Sequence, residues 1–267
     1  MEIIKSIILG IIQGLTEFLP ISSSGHLVLA KHYLNFEMTD ITFEIFLHLG
    51  SVIAVLLYFR KDILNLLKSL FIYSKDEVTH SNNRKIIFYL FVATVITALI
   101  GYYFEETIQK VFTSLYIPSI MLSITGIILI ISDKIESKGL GSYQLGIKKS
   151  ILIGLGQAFA ILPGISRSGT TIALGIFTGL KREEAARFSF LLSVPIILGA
   201  NVHKMSELSN LPKTMLLPYL FGLIAAFFSG YMVISLLISF VKKQKLKYFA
   251  YYCWLVSIVT LILYLTQ

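Results

Sequence analysis

Two short polar clusters interrupt an otherwise apolar chain, and they contain the residue types needed for chemistry on a phosphate. The first runs from Gln13 to His26 and reads QGLTEFLPISSSGH, and the second runs from Pro163 to Thr171 and reads PGISRSGTT. In both, a proline-containing turn precedes serines, a combination typical of a helix N-terminus. Free N–H groups and the positive end of the helix dipole attract anions, so two such ends predict an anion site.

Arg167 is the residue expected to bind that anion directly. A charge at membrane depth costs roughly 2.5–3.5 kcal/mol on insertion scales, so a site is the usual reason for it. A guanidinium accompanied by hydroxyls and amides suits phosphate oxygens better than a carboxylate. The expected phosphate-binding residues are Ser22, Ser166, Arg167, Ser168, Gly169 and Thr171. The alternative is structural, with small residues packing helices and Arg167 forming a buried ion pair with Glu17.

The first cluster also holds candidate metal ligands and a candidate nucleophile. Gln13 and Glu17 share a helix face and could hold Mg²⁺ or Ca²⁺ through oxygen, or Glu17 could accept a proton. Ser23 and His26 are three residues apart on the opening turn of the next helix, and a serine beside a base is a minimal nucleophile. The expected catalytic residues are Glu17, Ser23, His26 and Arg167. His26 alone is more often a core histidine than a catalyst.

A second acid–histidine pair, Glu44 and His48, lies in the apolar stretch that follows the first cluster. Its spacing places both side chains on one helix face. We expect them near the outer mouth of the site and assign them no catalytic role.

The composition identifies the elements that position these residues as membrane helices. The chain has 267 residues, of which 55% are hydrophobic and 14% charged, whereas soluble domains have about 25% charged residues. A water-soluble globule and a disordered chain are therefore excluded. The single cysteine, Cys253, excludes a disulfide framework and a cysteine metal cluster. The runs expected to span are Ile41–Phe59, Ile86–Phe104, Ile117–Ser132, Phe188–Val202, Leu216–Val241 and Phe249–Leu265.

Each polar cluster breaks a further apolar stretch into two short limbs. Ile3–Leu19 and Ser22–Leu34 flank Pro20, and Ile151–Leu162 and Ser166–Leu180 flank the second proline turn. Short limbs around a helix-breaking turn predict a re-entrant hairpin, in which the chain dips to mid-depth and returns. A pair of short full spans is the alternative, because hydropathy separates the two cases weakly.

An internal repeat supports the hairpins. At an offset of 144 residues, identical residues include Gly10 and Gly154, Gln13 and Gln157, Ser22 and Ser166, Ser24 and Ser168, Gly25 and Gly169, and Phe46 and Phe190. Such symmetry, with broken helices in matching places, is typical of duplicated transporter-like folds. We therefore predict an all-α polytopic membrane protein forming one integral membrane domain over 1–267. Its repeats cover about 1–134 and about 148–267, each with a re-entrant hairpin and three transmembrane helices.

The positive charges predict the orientation of the two repeats. Of the 23 Lys and Arg residues, 17 lie in the four segments Arg60–Lys85, Lys134–Lys149, Lys181–Arg187 and Lys242–Lys247. The positive-inside bias places these segments in the cytoplasm. The first hairpin then enters from outside and the second from the cytoplasm, so the repeats are inverted and their tips meet near the bilayer midplane. The net charge of +8 reflects this bias, and we expect no nucleic-acid partner.

At these clusters the sequence resembles the bacitracin-resistance protein family of bacterial undecaprenyl-diphosphate phosphatases. The motifs are a Glu/Gln-x-x-x-Glu element at 13–17, Pro-x-Ser-Ser-x-Gly-His at 20–26, and Pro-Gly-x-Ser-Arg-Ser-x-x-Thr at 163–171. The resemblance covers essentially the whole chain. The first motif has Gln13 where many relatives have Glu, which weakens any mechanism that needs two carboxylates on a metal.

The resemblance implies an enzyme of the bacterial cell membrane that hydrolyses undecaprenyl diphosphate to the monophosphate and phosphate, with a divalent cation, at a site open to the outer face. This reaction recycles the lipid carrier for cell-wall synthesis and gives bacitracin resistance. By matching position, Glu17, Ser23, His26 and Arg167 are the principal active-site residues, supported by Gln13, Ser166, Ser168 and Thr171.

The sequence leaves several alternatives open. Inverted halves with midplane hairpins also suit a transporter or flippase of a polyprenyl phosphate lipid, and a passive lipid-binding scaffold is a third possibility. Either Ser23 or an activated water is the nucleophile. The expected partners are the polyprenyl diphosphate substrate and the bilayer, and a homodimer is compatible with the sequence.

Overall fold

The protein is all-helical in the part of the chain that the computed structural model describes, residues 2–33, 41–71, 77–104, 106, 116–203 and 215–265. This part contains eleven α-helices and one 3₁₀ turn (Ser142–Gln144), and its only strand-like pairing is an isolated bridge between Leu140 and Leu180. The helices are α1 (Glu2–Phe18), α2 (Ser23–Tyr33), α3 (Ile41–Tyr58), α4 (Arg60–Phe71), α5 (Glu77–Tyr103), α6 (Tyr116–Lys134), α7 (Ile147–Phe159), α8 (Arg167–Phe177), α9 (Arg182–His203), α10 (Leu216–Lys242) and α11 (Lys247–Leu265).

Five helices of the described chain are long and apolar enough to cross a membrane, namely α5, α6, α9, α10 and α11. A sixth candidate is the pair α3 and α4, which meets at a bend of 77°. Large apolar side chains such as Phe228, Met232 and Leu255 are exposed on these helices, as expected where lipid rather than water is the solvent. The prediction of an all-α, multi-pass membrane protein is confirmed.

Two elements differ from the sequence prediction at the charged segment after α3. The helix α4 was not anticipated, and α5 begins at Glu77 instead of Ile86. Polar groups at the start of α5 are bound to α4, since the Asn83 Nδ2 donates to the Ser69 Oγ (2.9 Å) and the Arg84 Nε to the Ser69 carbonyl (2.8 Å). Hydropathy alone does not detect a helix extended by such hydrogen bonds. Residues 72–76 lie outside the described part.

The two broken helix pairs occur where the proline turns predict them. The first pair is α1 and α2, and the second is α7 and α8; Leu34, the last residue of one predicted limb, lies outside the described chain. These helices have 17, 11, 13 and 11 residues. At about 1.5 Å per residue, each is shorter than the hydrocarbon core of about 30 Å.

The two breaks contact each other, as the sequence predicts for the tips. The Gly164 N–H donates to the Ser22 Oγ at 3.1 Å, and the Ser168 Oγ donates to the Leu19 carbonyl at 3.1 Å. Chain segments more than 140 residues apart are thereby joined by direct hydrogen bonds.

Close helix packing across the two halves holds the breaks in place. Helix α1 packs on α10 of the second half, and α7 packs on α5 of the first. At Gly10 an added Cβ would lie 2.3 Å from the Gly222 carbonyl, and at Gly154 one would lie 2.8 Å from the Ala93 carbonyl. The equivalent glycines of the 144-residue repeat therefore serve the same purpose, the close approach of two backbones.

The substitution Gly14→Ala tests this packing. A Cβ at position 14 would lie 2.1 Å from the Ser229 Oγ and 2.3 Å from the Ala226 carbonyl, so helices α1 and α10 must separate. We expect a loss of about 1–3 kcal/mol of stability, measured by thermal unfolding in detergent. The control is Gly199→Ala, where a Cβ meets nothing within 4 Å. Equal melting temperatures for the two variants would contradict the packing described.

Candidate active site

A cavity of about 260 Å³ opens between the two helix breaks and the helices α3 and α9. One part of its wall is polar, and the other consists of isoleucine and alanine side chains. The polar residues are Thr16, Glu17, Ser23, Ser24, Glu44, His48, Ser166, Arg167 and Asn201. The apolar residues are Ile45, Ala160, Ile161, Ile165, Ile196, Ile197 and Ala200. A cavity of this composition suits a ligand with a charged end and a hydrocarbon end.

Glu17 lies at the centre of the polar part and connects both helix breaks. Its Oε1 accepts from the Arg167 Nη2 at 2.7 Å. Its Oε2 accepts from the Ser23 Oγ at 2.5 Å and from the Gln13 Nε2 at 3.0 Å. The residue is only 7% exposed, and a buried carboxylate persists when it is paired and hydrogen-bonded in this way. The structure thus brings together Gln13, Glu17, Ser23 and Arg167.

Arg167 is held between the first break and α9. Besides the ion pair with Glu17, its Nη1 donates to the Ser189 carbonyl at 3.4 Å. It is the first residue of α8, whose N-cap Ser166 accepts from the Gly169 N–H at 3.0 Å. The guanidinium therefore stands beside a helix N-terminus, and both favour an anion.

The same capping arrangement occurs at the first break. The Ser22 Oγ accepts from the Gly25 N–H at 3.3 Å and lies 3.3 Å from the Ser24 Oγ; the Ser166 Oγ lies 3.2 Å from the Ser168 Oγ. Ser23 and Arg167, which are 144 residues apart, each follow directly after the capping serine. Two helix starts with first-turn N–H groups that lack intrahelical partners therefore meet at one cavity.

The two caps differ in backbone conformation. Ser22 has φ +67°, a left-handed conformation that costs roughly 1–2 kcal/mol for a residue with a side chain, whereas Ser166 has φ −76°. Hydrogen bonds to the Ser22 Oγ from Gly25 and from Gly164 of the opposite break offset this cost. Strain of this kind clusters at functional sites.

The hydrogen bonds of His26 go to residues other than Ser23, and the predicted serine–histidine pair is wrong in this respect. The His26 Nδ1 bonds the Ser22 carbonyl at 2.8 Å, and its Nε2 bonds the Tyr252 hydroxyl at 2.9 Å. The imidazole is stacked on the Tyr252 ring of α11 and is not among the residues that line the cavity. Ser23 instead donates to Glu17. A catalytic role for His26 stays a prediction.

Four predicted phosphate-binding residues lie behind the cavity wall. The Ser22 and Ser168 hydroxyls join the two breaks, Gly169 lies against Pro20, and the Thr171 hydroxyl donates to the Arg167 carbonyl at 2.8 Å. Of the predicted set, Ser166 and Arg167 line the cavity.

Helix α3 brings Glu44 and His48 to the cavity, in keeping with their expected place near the site, whereas helix α9 adds a residue that sequence reasoning missed. The His48 Nε2 lies 3.8 Å from the Glu17 Oε2, and the His48 Nδ1 bonds the Glu44 carbonyl at 2.8 Å. The sequence did not predict this approach of His48 to Glu17. Asn201 also lines the cavity, and no motif surrounds it.

The predicted metal ligands Gln13 and Glu17 supply few oxygens. Glu17 lines the cavity, whereas Gln13 is completely buried behind it, and the Gln13 Oε1 has no hydrogen-bond partner. The described residues include no group of three or more His, Cys, Asp or Glu side chains that could hold a metal ion. Of the two, Glu17 presents its carboxylate to the cavity, which is the kind of ligand used by a Mg²⁺ ion that keeps several waters and is bound through one or two carboxylates and substrate phosphates.

Comparison with known proteins places the chain in a family. The family described as bacitracin resistance protein BacA matches residues 6–259. A protein of Methanobrevibacter smithii named undecaprenyl-diphosphatase is 44% identical over 97% of this chain and 96% of its own length. Undecaprenyl-diphosphatase 1 of Shouchella clausii is 40% identical over 98% and 96%, and undecaprenyl-diphosphatase 2 of Halalkalibacterium halodurans is 42% identical over 97% and 95%. The chain therefore belongs to the bacitracin resistance protein BacA family.

Proposed function

We propose that this chain is an undecaprenyl-diphosphatase, an integral membrane hydrolase that converts undecaprenyl diphosphate to undecaprenyl phosphate and phosphate. The observation that carries the proposal is the contact of the Ser23 hydroxyl with Glu17, which is itself paired with Arg167 at the cavity. Relatives that align with this chain over nearly their full length are named undecaprenyl-diphosphatase. The reaction returns the lipid carrier for cell-wall synthesis, in keeping with the family's link to bacitracin resistance.

Glu17 is the general base of this reaction. Its Oε2 is 2.5 Å from the Ser23 Oγ, within the distance needed to take the hydroxyl proton. The Ser23 oxygen then attacks the terminal phosphorus, the lipid monophosphate leaves, and water hydrolyses the phosphoserine. In the alternative route, Glu17 takes the proton of a water that attacks directly.

Arg167 and the two helix starts stabilise the charge on the reacting phosphate. The Arg167 Nη2 is occupied by Glu17, while its Nη1 makes only a long 3.4 Å hydrogen bond to the Ser189 carbonyl. The Nη1 is therefore available to a phosphate oxygen. Donors that are fixed before the reaction stabilise developing charge without reorganisation, and in most enzymes this stabilisation contributes more to the rate than any other effect.

Glu17 would also hold a divalent cation, with Gln13 orienting the carboxylate through its Nε2. When bound, such a cation neutralises part of the diphosphate charge. Phosphate oxygens and water would supply the other ligands, since the described residues offer few at this position.

The two broken helix pairs are re-entrant hairpins of two inverted repeats in this proposal. Their support is the shortness of the four helices, the repeated serine caps and the packing of each hairpin on the opposite half. The distribution of Lys and Arg supports a location in the cell membrane with the cavity open to the outer face. The bond between the Lys31 Nζ and the Glu44 Oε1 (2.5 Å) then lies near that mouth.

A lipid flippase is the second candidate function. Packing of each hairpin on a helix of the other half is an arrangement that alternating access can use. The Ser23–Glu17 contact favours an enzyme, because carrying a phosphate lipid requires no nucleophile. Purified protein in detergent separates the two, since an enzyme releases phosphate from polyprenyl diphosphate there and a flippase alone does not.

The substitution Arg167→Lys should lower kcat/KM for phosphate release by at least about 100-fold. The planar guanidinium of arginine can bind Glu17 and a phosphate at the same time through different N–H groups, whereas the single ammonium of lysine cannot. The measurement is phosphate release from polyprenyl diphosphate in detergent. The control is Arg187→Lys, since Arg187 pairs with Asp62 and Glu184 away from the cavity. Equal activity of both variants would refute the role given to Arg167.

Ser23→Ala distinguishes the two nucleophiles. The covalent route predicts nearly complete loss of turnover, and mass spectrometry of quenched wild-type protein should find phosphoserine at position 23. The control is Ser193→Ala, whose hydroxyl donates to the Phe190 carbonyl and is buried elsewhere on α9. Full turnover by the Ser23 variant would exclude the covalent route and leave the activated water.

Removal of divalent cations tests the site at Glu17. Treatment with EDTA should abolish phosphate release, and added Mg²⁺ should restore it. The melting temperature should change little, because the described residues include no cluster of metal ligands that could hold the fold together. Activity that persists in EDTA would show that Arg167 and the helix starts suffice.

A further inference from the structure

A second cavity, of about 360 Å³, lies between α5 and the start of α7 and shares no lining residue with the cavity of Glu17 and Arg167. Its walls combine a hydroxyl, two cations, two aromatic rings and an aliphatic side chain, which belong to Ser81, Arg84, Lys85, Phe88, Tyr89 and Ile147. The first four stand at positions i, i+3, i+4 and i+7, so they form one face of α5. The proposed reaction uses none of these residues.

The side chains of this second cavity favour an anion. Arg84 and Lys85 line it, and no acidic side chain is among the described residues that do so. The Arg84 Nε donates to the Ser69 carbonyl at 2.8 Å, which holds the guanidinium at the wall, and Lys85 is exposed. Two cations beside a hydroxyl suit an anion with several acceptor oxygens, such as a phosphate.

The two cations lie at the depth where lipid headgroups are found. Helix α5 is one of the candidate membrane spans. Residues 86–104, which follow Lys85 directly, carry no charged side chain. At about 1.5 Å per residue this stretch is about 28 Å long, which matches a hydrocarbon core of about 30 Å. Arg84 and Lys85 therefore stand at the boundary between that core and the headgroups.

An apolar surface continues from the cavity into the bilayer. Only 11% of the apolar window of α5 is buried inside the protein, and Phe88, Phe91 of the next turn and Ile147 of α7 are about half exposed or more. A ligand that places a phosphate on the cations can thus lay hydrocarbon chains along α5. Basic pockets between membrane helices bind phospholipid headgroups in this way.

We infer that the second cavity binds the phosphate headgroup of an anionic glycerophospholipid whose acyl chains lie against α5. The inference goes beyond the proposed function, and it depends on α5 crossing a membrane rather than on the reaction. The bound lipid contacts α5 and α7 where the Ser150 Oγ donates to the Tyr89 carbonyl at 2.5 Å. Since α7 leads into the break that carries Arg167, the lipid stabilises the packing of the second hairpin on α5.

The experiment is native mass spectrometry of the full-length protein in detergent, with added phosphatidylglycerol or with phosphatidylcholine of the same acyl chains. The wild type should bind phosphatidylglycerol more tightly. A basic residue near an anionic lipid surface is worth about a fivefold change in affinity. Lys85→Gln should therefore weaken phosphatidylglycerol about fivefold and leave phosphatidylcholine binding almost unchanged. Ser81→Glu, which adds a negative charge to the same cavity at a second position, should weaken phosphatidylglycerol at least as much.

The matched control is Lys245→Gln, which removes the same charge from an exposed lysine after α10 that lines neither cavity. It should bind phosphatidylglycerol as the wild type does. The inference is overturned if both lysine variants weaken phosphatidylglycerol equally, because the lipid would then respond to surface charge in general, or if the wild type binds the two lipids equally well.

Glycerol 3-phosphate distinguishes a lipid site from a site for a free phosphate compound, because it carries the headgroup phosphate without acyl chains. We expect it to bind much more weakly than phosphatidylglycerol. Binding as tight as that of the lipid, and lost in Lys85→Gln, would assign the cavity to a free phosphate compound and overturn the lipid assignment.

Discussion

The buried ion pair between Glu17 and Arg167 is the interaction on which the site depends. The two residues come from opposite halves of the chain and meet at 2.7 Å, largely shielded from solvent. Each charge alone would be costly to bury, and removing one partner of a buried pair typically costs about 3–5 kcal/mol. The pair is therefore satisfied only while both helix breaks are in place, which couples the geometry of catalysis to the fold.

The rest of the structure serves to keep the two breaks together. Glycines at 10, 14 and 154 allow backbones to approach across the halves, and the Ser22 and Ser168 hydroxyls join one break to the other. Many residues of the two polar clusters are thus positioning residues. They fix Ser23, Glu17 and Arg167, which can then act on a phosphate without large movement.

Sequence alone predicts the pairing of the two breaks, because the same serines and glycines recur at one offset. The repeated serines cap the helix starts, and the repeated glycines allow helices to pack closely. It fails for His26, since three-residue spacing on a helix does not specify which neighbour the ring meets, and Tyr252 lies 226 residues away. It also fails for Asn201 and for the place of His48 beside Glu17, because only tertiary packing brings α3 and α9 to the cavity. Helix α4 escaped prediction because its contacts with α5 are hydrogen bonds between polar residues.

A double-mutant cycle between Glu17 and Arg167 tests the central claim most directly. Phosphate release is measured for Glu17→Gln, Arg167→Gln and the double variant, all in detergent and all shown to be folded. Residues that act as one unit give strongly non-additive losses, so the double variant should be about as inactive as the worse single variant. If the fold-losses of activity in the two single variants multiply in the double variant, Glu17 and Arg167 act independently, and that result would contradict the account.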